Sequence, residues 1–144
     1  DNKIEKKMIF IFLSAVVAGM SKAVMDKLQF HYHESIFSSS IAFDREYWNP
    51  KYSWVNKYID REPRKGRKKW FWGSINKPVF LTDAWHFHQF FMLNNIFVVF
   101  IELCVYDFSG ISISHRVLLG VGLAVCMKFG FWISYNYLLG KSKK

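Results

Sequence analysis

Residues 117–139 read VLLGVGLAVCMKFGFWISYNYLL, twenty-three residues with Lys128 as the single charge. A helix needs about 20 mainly apolar residues to cross a bilayer, so this stretch predicts a membrane-spanning helix. Residues 79–106 form a second apolar stretch of twenty-eight residues, and residues 8–25 form a shorter one. We therefore predict an all-α integral membrane protein with about three transmembrane helices, at residues 8–25, 79–106 and 117–139.

The stretch at residues 8–25 has an alternative interpretation as a cleaved signal peptide. A basic-leaning segment precedes it, and small residues near its end resemble a cleavage region. We expect the segment to stay in the mature protein. Its eighteen residues are marginal for a complete crossing, so a re-entrant segment is the other alternative.

The composition excludes several classes of protein. The chain has 144 residues, which predicts a single membrane domain over residues 1–144. Its 51% hydrophobic residues, with 28 Phe, Trp and Tyr, exclude a disordered chain. Eight Gly, three Pro and two Cys exclude collagen-like and disulfide-stapled proteins. The mean hydropathy is only +0.03, because a basic loop and tail offset the apolar stretches.

The basic residues are concentrated in the loop at residues 26–77, which holds eleven of the twenty, and three more lie in the tail. Loops rich in Lys and Arg stay on the cytoplasmic side, so we predict a cytoplasmic loop and C-terminus and an N-terminus outside. The run RKGRKK at residues 64–69 adjoins aromatic residues 70–72, a combination typical of interfacial anchors. We predict that Lys68 and Lys69 bind anionic lipid headgroups, and that nucleic-acid binding is unlikely.

Ionisable side chains within or beside the apolar stretches are the strongest indication of a site, because they are costly in a membrane. Asp83 and His86 are three apart and share a helical face. In the predicted topology they lie near the cytoplasmic boundary, as does the end of the first helix. The side chains expected to converge there are Asp26, His31, His33, Asp83 and His86, with Lys22 beside Asp26.

Imidazoles and carboxylates gathered in a sheltered pocket are what a divalent metal needs. We therefore predict a metal site built from Asp26, His31, His33, Asp83 and His86, holding zinc, or iron or manganese. A metal-free alternative uses His86 or His31 as general base with an Asp orienting it. The plain structural interpretation makes Asp83 a helix cap and Lys22 with Asp26 an ion pair.

Glu102 and Lys128 lie deeper in the second and third stretches, and we predict that they form an intramembrane polar pair. His88, Asn95 and Glu102 recur every seven residues and would form one polar stripe. Such a stripe either joins helices or provides a path for protons or ions.

These features predict a small membrane-embedded enzyme acting on a lipid or lipid-linked substrate, by metal-dependent or acid–base chemistry. Its catalytic residues would be His86, Asp83 and His31, and Lys22 would hold an anionic headgroup. The alternatives are a non-catalytic accessory subunit of a larger membrane complex and a homo-oligomeric channel or proton-conducting protein.

Overall fold

The computed structural model describes residues 2–39, 43–58, 61–65, 79–106 and 108–141. Three long helices dominate it: α1 (Asn2–Phe30), α4 (Ala84–Val105) and α5 (Ile113–Ile133). Two four-residue helices, α2 (Arg45–Trp48) and α3 (Pro50–Ser53), lie between α1 and α4. The described residues contain no strand, only an isolated antiparallel bridge between Ser35 and Gly140. The all-α prediction is confirmed.

Three helical segments are long and apolar enough to cross a membrane: Lys6–Phe30, Ala84–Val105 and Ile113–Leu138. The shortest has 22 residues, which at 1.5 Å per residue gives about 33 Å, enough for a hydrocarbon core of about 30 Å. The predicted number of long apolar helices is therefore correct.

The helix boundaries differ from the predicted ones because capping residues set them. The second helix begins at Ala84 rather than at residue 79, since Asp83 caps it by accepting a hydrogen bond from the His86 backbone N–H. The third begins at Ile113 because Ser112 caps it in the same way, and it continues as a π-helical segment, Ser134–Leu138. The first is helical from Asn2 to Phe30 instead of over residues 8–25 alone.

The helix α1 lies at the centre of the bundle and packs against both α4 and α5. Half of its apolar window is buried, whereas none of the corresponding window of α4 is. The ring of Phe97 and that of Phe100 are among the many apolar side chains that α4 exposes. Such a distribution is typical of helices that face lipid rather than water.

The backbones of α1 and α5 come very close at two glycines. A Cβ at Gly19 would overlap the Met127 carbonyl, and a Cβ at Gly130 would overlap the Val16 carbonyl. Small residues at a helix interface allow this approach, which is frequent in membrane bundles.

One end of the bundle, here called the Asp83 end, is where α1 and α5 finish and α4 begins. The segment after α1 folds over this end, and its Tyr32 and Phe37 are buried with Leu28, Ala84 and Leu139. Backbone hydrogen bonds attach it to the end of α5: Ile36 N–H donates to the Leu139 carbonyl at 3.1 Å, and Lys141 N–H to the Glu34 carbonyl at 3.0 Å. We call residues 31–58 the end cap. The opposite end, where α5 begins, is called the Arg116 end.

Candidate functional site

The side chains of Asp83 and His86 form a bonded pair at the start of α4. One carboxylate oxygen of Asp83 accepts from the His86 backbone N–H at 2.9 Å, and the other lies 2.6 Å from His86 Nδ1. An ionised carboxylate only accepts, so Nδ1 carries the proton and donates it, which leaves the Nε2 lone pair available. The Asp83 side chain is 2% exposed and that of His86 is 22% exposed. The pair therefore joins a sheltered carboxylate to an imidazole that a ligand can reach.

Residues of the end cap hold the position of this pair. The amide of Asn56 donates to the Thr82 carbonyl and to the Glu46 carbonyl, both at 3.0 Å, and so ties the cap to the chain just before Asp83. Thr82 Oγ1 lies 3.4 Å from Asp83 Oδ2. The carboxylate is thus held by His86 and by the Thr82 hydroxyl, and the end cap is bonded to the Thr82 carbonyl beside it.

Tyr47, on α2, lies within the electrostatic reach of Asp83. Burial raises the pKa of the Tyr47 phenol, and the negative charge of Asp83 raises that pKa further. Neither Tyr47 nor Asn56 is among the site residues predicted from the sequence. Both lie near the pair because of how the end cap folds. The sequence of the end cap has no hydrophobic periodicity from which that fold could be predicted.

Lys22 and Asp26 form an ion pair on successive turns of α1, as their spacing of four indicates. The Asp26 side chain is 20% exposed and that of Lys22 is 42% exposed. The Lys22 ammonium already has a carboxylate partner, so its binding of an anionic headgroup stays a prediction. The predicted headgroup residues Lys68 and Lys69 lie outside the described residues.

His31 and His33 do not lie on the helical face of Asp26, because α1 ends at Phe30 and the chain turns into a 3-10 helix at Tyr32–Glu34. His31 Nδ1 lies 3.2 Å from a carboxylate oxygen of Glu34, and the His31 ring meets that of Tyr135 edge-on. His33 is exposed.

The five predicted metal ligands are consequently not gathered into one site, which corrects the prediction from the sequence. All five lie in the part of the chain that the structure describes, and nowhere in that part do three or more His, Cys, Asp or Glu side chains come together to hold a metal ion. The residues concerned are Asp26, His31, His33, Asp83 and His86. Of this set, the structure brings together Asp83 and His86.

Glu102 has a different partner from the predicted one. Its carboxylate lies 3.9 Å from the ammonium of Lys7 on α1, while Lys128 is exposed on α5 and forms no ion pair with a described residue. The predicted Glu102–Lys128 pair is therefore wrong. The residues of the proposed polar stripe also make separate contacts, since Asn95 donates to the Phe91 carbonyl of its own helix and His88 packs near Trp48.

The side chain of Lys27 was counted among the loop charges but is buried, with its ammonium 4.2 Å from the centre of the Tyr135 ring. This cation–π contact fastens the end of α1 to the end of α5.

No protein-family model, no curated protein and no solved structure matches this chain.

Proposed function

We propose that this protein is a membrane-embedded enzyme that uses His86 as a general base on a lipid or lipid-linked substrate. The observation that carries the proposal is the 2.6 Å bond between the buried Asp83 carboxylate and His86 Nδ1. In this arrangement Asp83 selects the imidazole tautomer and stabilises the imidazolium that forms when Nε2 takes a proton. The proton would come from a water molecule or a hydroxyl group bound at Nε2 of His86, whose side chain is 22% exposed.

The position of the pair favours a lipid as the substrate. His86 lies in the first turn of α4, a helix long and apolar enough to cross a membrane, so insertion would place the imidazole near the headgroup level. A soluble metabolite would not require a site at that depth. Esters, amides and phosphate esters are the lipid groups that a general base and an activated water can cleave.

The distribution of basic residues supports an orientation with the Asp83 end in the cytoplasm. Eleven of twenty Lys and Arg lie in residues 26–77, between the first and second apolar stretches of the sequence, and three more follow α5. The proposed topology therefore has a cytoplasmic C-terminus and an N-terminus outside. A single-cysteine series at exposed positions of both ends, labelled in intact cells, tests this orientation.

A divalent metal such as zinc, iron or manganese stays a prediction from the sequence. The general-base mechanism does not depend on a metal, because the group that orients the His86 imidazole is the Asp83 carboxylate. Metal analysis of the purified protein measures how many metal ions are bound per chain and which element they are.

The experiment for the main proposal compares three proteins in nanodiscs prepared from a total polar lipid extract, with lipid composition followed by mass spectrometry. The wild type should convert at least one lipid class over time. His86→Ala should abolish the conversion, and Asp83→Asn should lower its rate by about 10²–10⁴. Asn136→Ala, which removes an exposed amide that bonds only to the Trp132 carbonyl among the described residues, is the control and should keep the wild-type rate. A wild type that changes no lipid, or a fully active His86→Ala variant, would contradict the proposal.

An accessory subunit of a larger membrane complex is the second candidate. The observation in its favour is the unburied face of α4, where Leu93, Ile96, Phe97 and Phe100 surround a shallow groove. Purification in a mild detergent from the native membrane distinguishes the two functions. A partner at constant stoichiometry, together with an unchanged lipid pool, would favour the accessory subunit over the enzyme.

A further inference from the structure

The Arg116 end of the bundle contains a cavity of about 440 Å³, far from the Asp83–His86 pair. It lies between the first turns of α1, the end of α4 and the start of α5. Apolar side chains form much of its wall, among them Met8, Phe108 and Leu119. Its volume falls within the range of about 300–1,000 Å³ that is usual for small-ligand sites.

A cation with a fixed position lines this cavity. The guanidinium of Arg116 donates from Nε to the Ile111 carbonyl at 3.1 Å and from Nη2 to the Phe108 carbonyl at 2.8 Å. The Phe108 ring lies beneath it, at 5.5 Å from the guanidinium carbon. Of the five N–H groups of a guanidinium, three remain for a ligand. In the described part of the chain, no carboxylate lies within ion-pair distance of Arg116, so its charge is not neutralised by one of those residues.

Two more polar side chains line the same cavity, Ser112 and His115. The hydroxyl of Ser112 lies 2.7 Å from His115 Nδ1 and also accepts from the His115 backbone N–H at 3.4 Å. These contacts fix the imidazole while they leave its Nε2 unused. The cavity therefore combines an apolar wall with an oriented guanidinium and an oriented imidazole.

We propose that this cavity binds an amphiphile with an anionic head, a carboxylate or a phosphate. The head would accept hydrogen bonds from Arg116 and His115, and the apolar chain would lie against Met8, Phe108 and Leu119. Arg116 is exposed, so its remaining N–H groups can reach the head of a ligand, and an uncharged head would lack the charge-assisted hydrogen bonds that an anionic head makes with the guanidinium. The bidentate geometry of a guanidinium suits both kinds of anionic head. This site is separate from the proposed catalytic pair and does not depend on it.

The test measures the binding of three probes to the full chain in an uncharged detergent, by calorimetry and by native mass spectrometry. The probes are oleate, oleoyl lysophosphatidate and methyl oleate, which share one chain and differ in the head. We expect one molecule of an anionic probe per chain and at least tenfold weaker binding of methyl oleate. Binding of oleate alone identifies a carboxylate as the preferred head, and binding of the lysophosphatidate alone identifies a phosphate.

The variants separate the head contact from the wall. Arg116→Gln should weaken the binding of the anionic probe at least tenfold, and Lys128→Gln, which removes a charge elsewhere on the same helix, should not change it. Because Arg116 also holds the loop before α5, Leu119→Trp provides a second variant that fills the cavity and leaves the guanidinium in place. It should abolish binding. Equal affinity for methyl oleate and oleate, absence of binding to the wild type, or wild-type affinity in Leu119→Trp would each overturn the proposal.

Discussion

The Cα of Gly19 lies directly against the backbone carbonyl of Met127, and the two helices leave no space between them for a methyl group. Gly130 has the same relationship to the Val16 carbonyl, so the backbones of α1 and α5 are in close contact at two points. The obstacle in both cases is backbone, which moves only if a whole helix shifts. The packing of α1 on α5 thus depends on the absence of a Cβ atom at Gly19 and at Gly130.

We expect Gly19→Ala to destabilise the bundle by about 1–3 kcal/mol, the usual cost of overpacking, despite the better helix propensity of Ala. Gly130→Ala should act in the same direction. Gly120→Ala is the matched control, since a Cβ there meets nothing within 4 Å, and it should leave stability unchanged or raise it by about 0.5–1 kcal/mol. Unfolding midpoints in mixed detergent micelles measure the difference. Equal midpoints for Gly19→Ala and Gly120→Ala would contradict the close approach.

Two substitutions of Asp83 separate its role as helix cap from its role toward His86. Asp83→Ala removes both and should lower the stability by about 1–2 kcal/mol, the usual loss for a missing cap. Asp83→Asn retains a good capping oxygen and should stay close to the wild type in stability, while its catalytic rate falls. Thermal unfolding and lipid turnover on the same samples give the two readouts. A rate that declines only in proportion to stability would show that Asp83 acts as a cap alone.

Asn56 should control how firmly the end cap is held on the bundle. Its amide joins Glu46 and Thr82, and Asn56→Ala removes both hydrogen bonds, at a cost of about 0.5–1.5 kcal/mol for each. We expect faster hydrogen exchange over residues 44–58, with α1 and α5 unaffected. Asn136→Ala removes an exposed amide that bonds within its own helix and serves as the control. Unchanged exchange in Asn56→Ala would show that the bridge does not hold the cap.

Alkaline pH should loosen the end cap first. The pKa of Tyr32 and the pKa of Tyr47 are both raised above the ordinary value of 10.0, in each case chiefly by burial. A raised pKa in the folded protein means that the unfolded chain releases its proton earlier. Below about pH 10, these two phenols cause no change of stability with pH. As the pH rises from about 10 toward their pKa values in the folded protein, the free energy of unfolding decreases.

Phenolate absorbance near 295 nm, recorded against pH, checks this expectation. Tyr47→Phe should remove one late-titrating phenol from the curve. Asp83→Asn should move the Tyr47 pKa back toward 10.0, because the carboxylate charge is the second cause of its shift. An unchanged titration in Asp83→Asn would place Tyr47 outside the field of Asp83.

The fold could be predicted from the sequence because apolar stretches of bilayer length leave few alternatives. The Asp83 cap was one of the interpretations of the sequence, whereas the Ser112 cap, which lies before the third apolar stretch, was not predicted. Within the site, the three-residue spacing of Asp83 and His86 was sufficient to predict that the two side chains lie together, because the start of one helix sets their separation. The five predicted metal ligands do not gather in one place, because the prediction needed α1 to continue to His33 and α1 ends at Phe30.

Glu102 illustrates the same limit. Apolar length fixes the depth of a residue in a helix, but it does not fix which neighbour the residue faces. Lys7, whose ammonium lies 3.9 Å from the Glu102 carboxylate, was not considered as its partner from the sequence.

The attachment of the end cap to the end of α5 has a consequence for the order of assembly. The cap takes its anchoring carbonyl from Leu139 and accepts the Lys141 N–H, both of which follow nearly all of the rest of the chain. During synthesis, α1 and α4 can insert and pair before these groups have left the ribosome, but the cap cannot close. The start of the end cap therefore gains this attachment only after α5 is in place, so a chain interrupted before Leu139 would lack it.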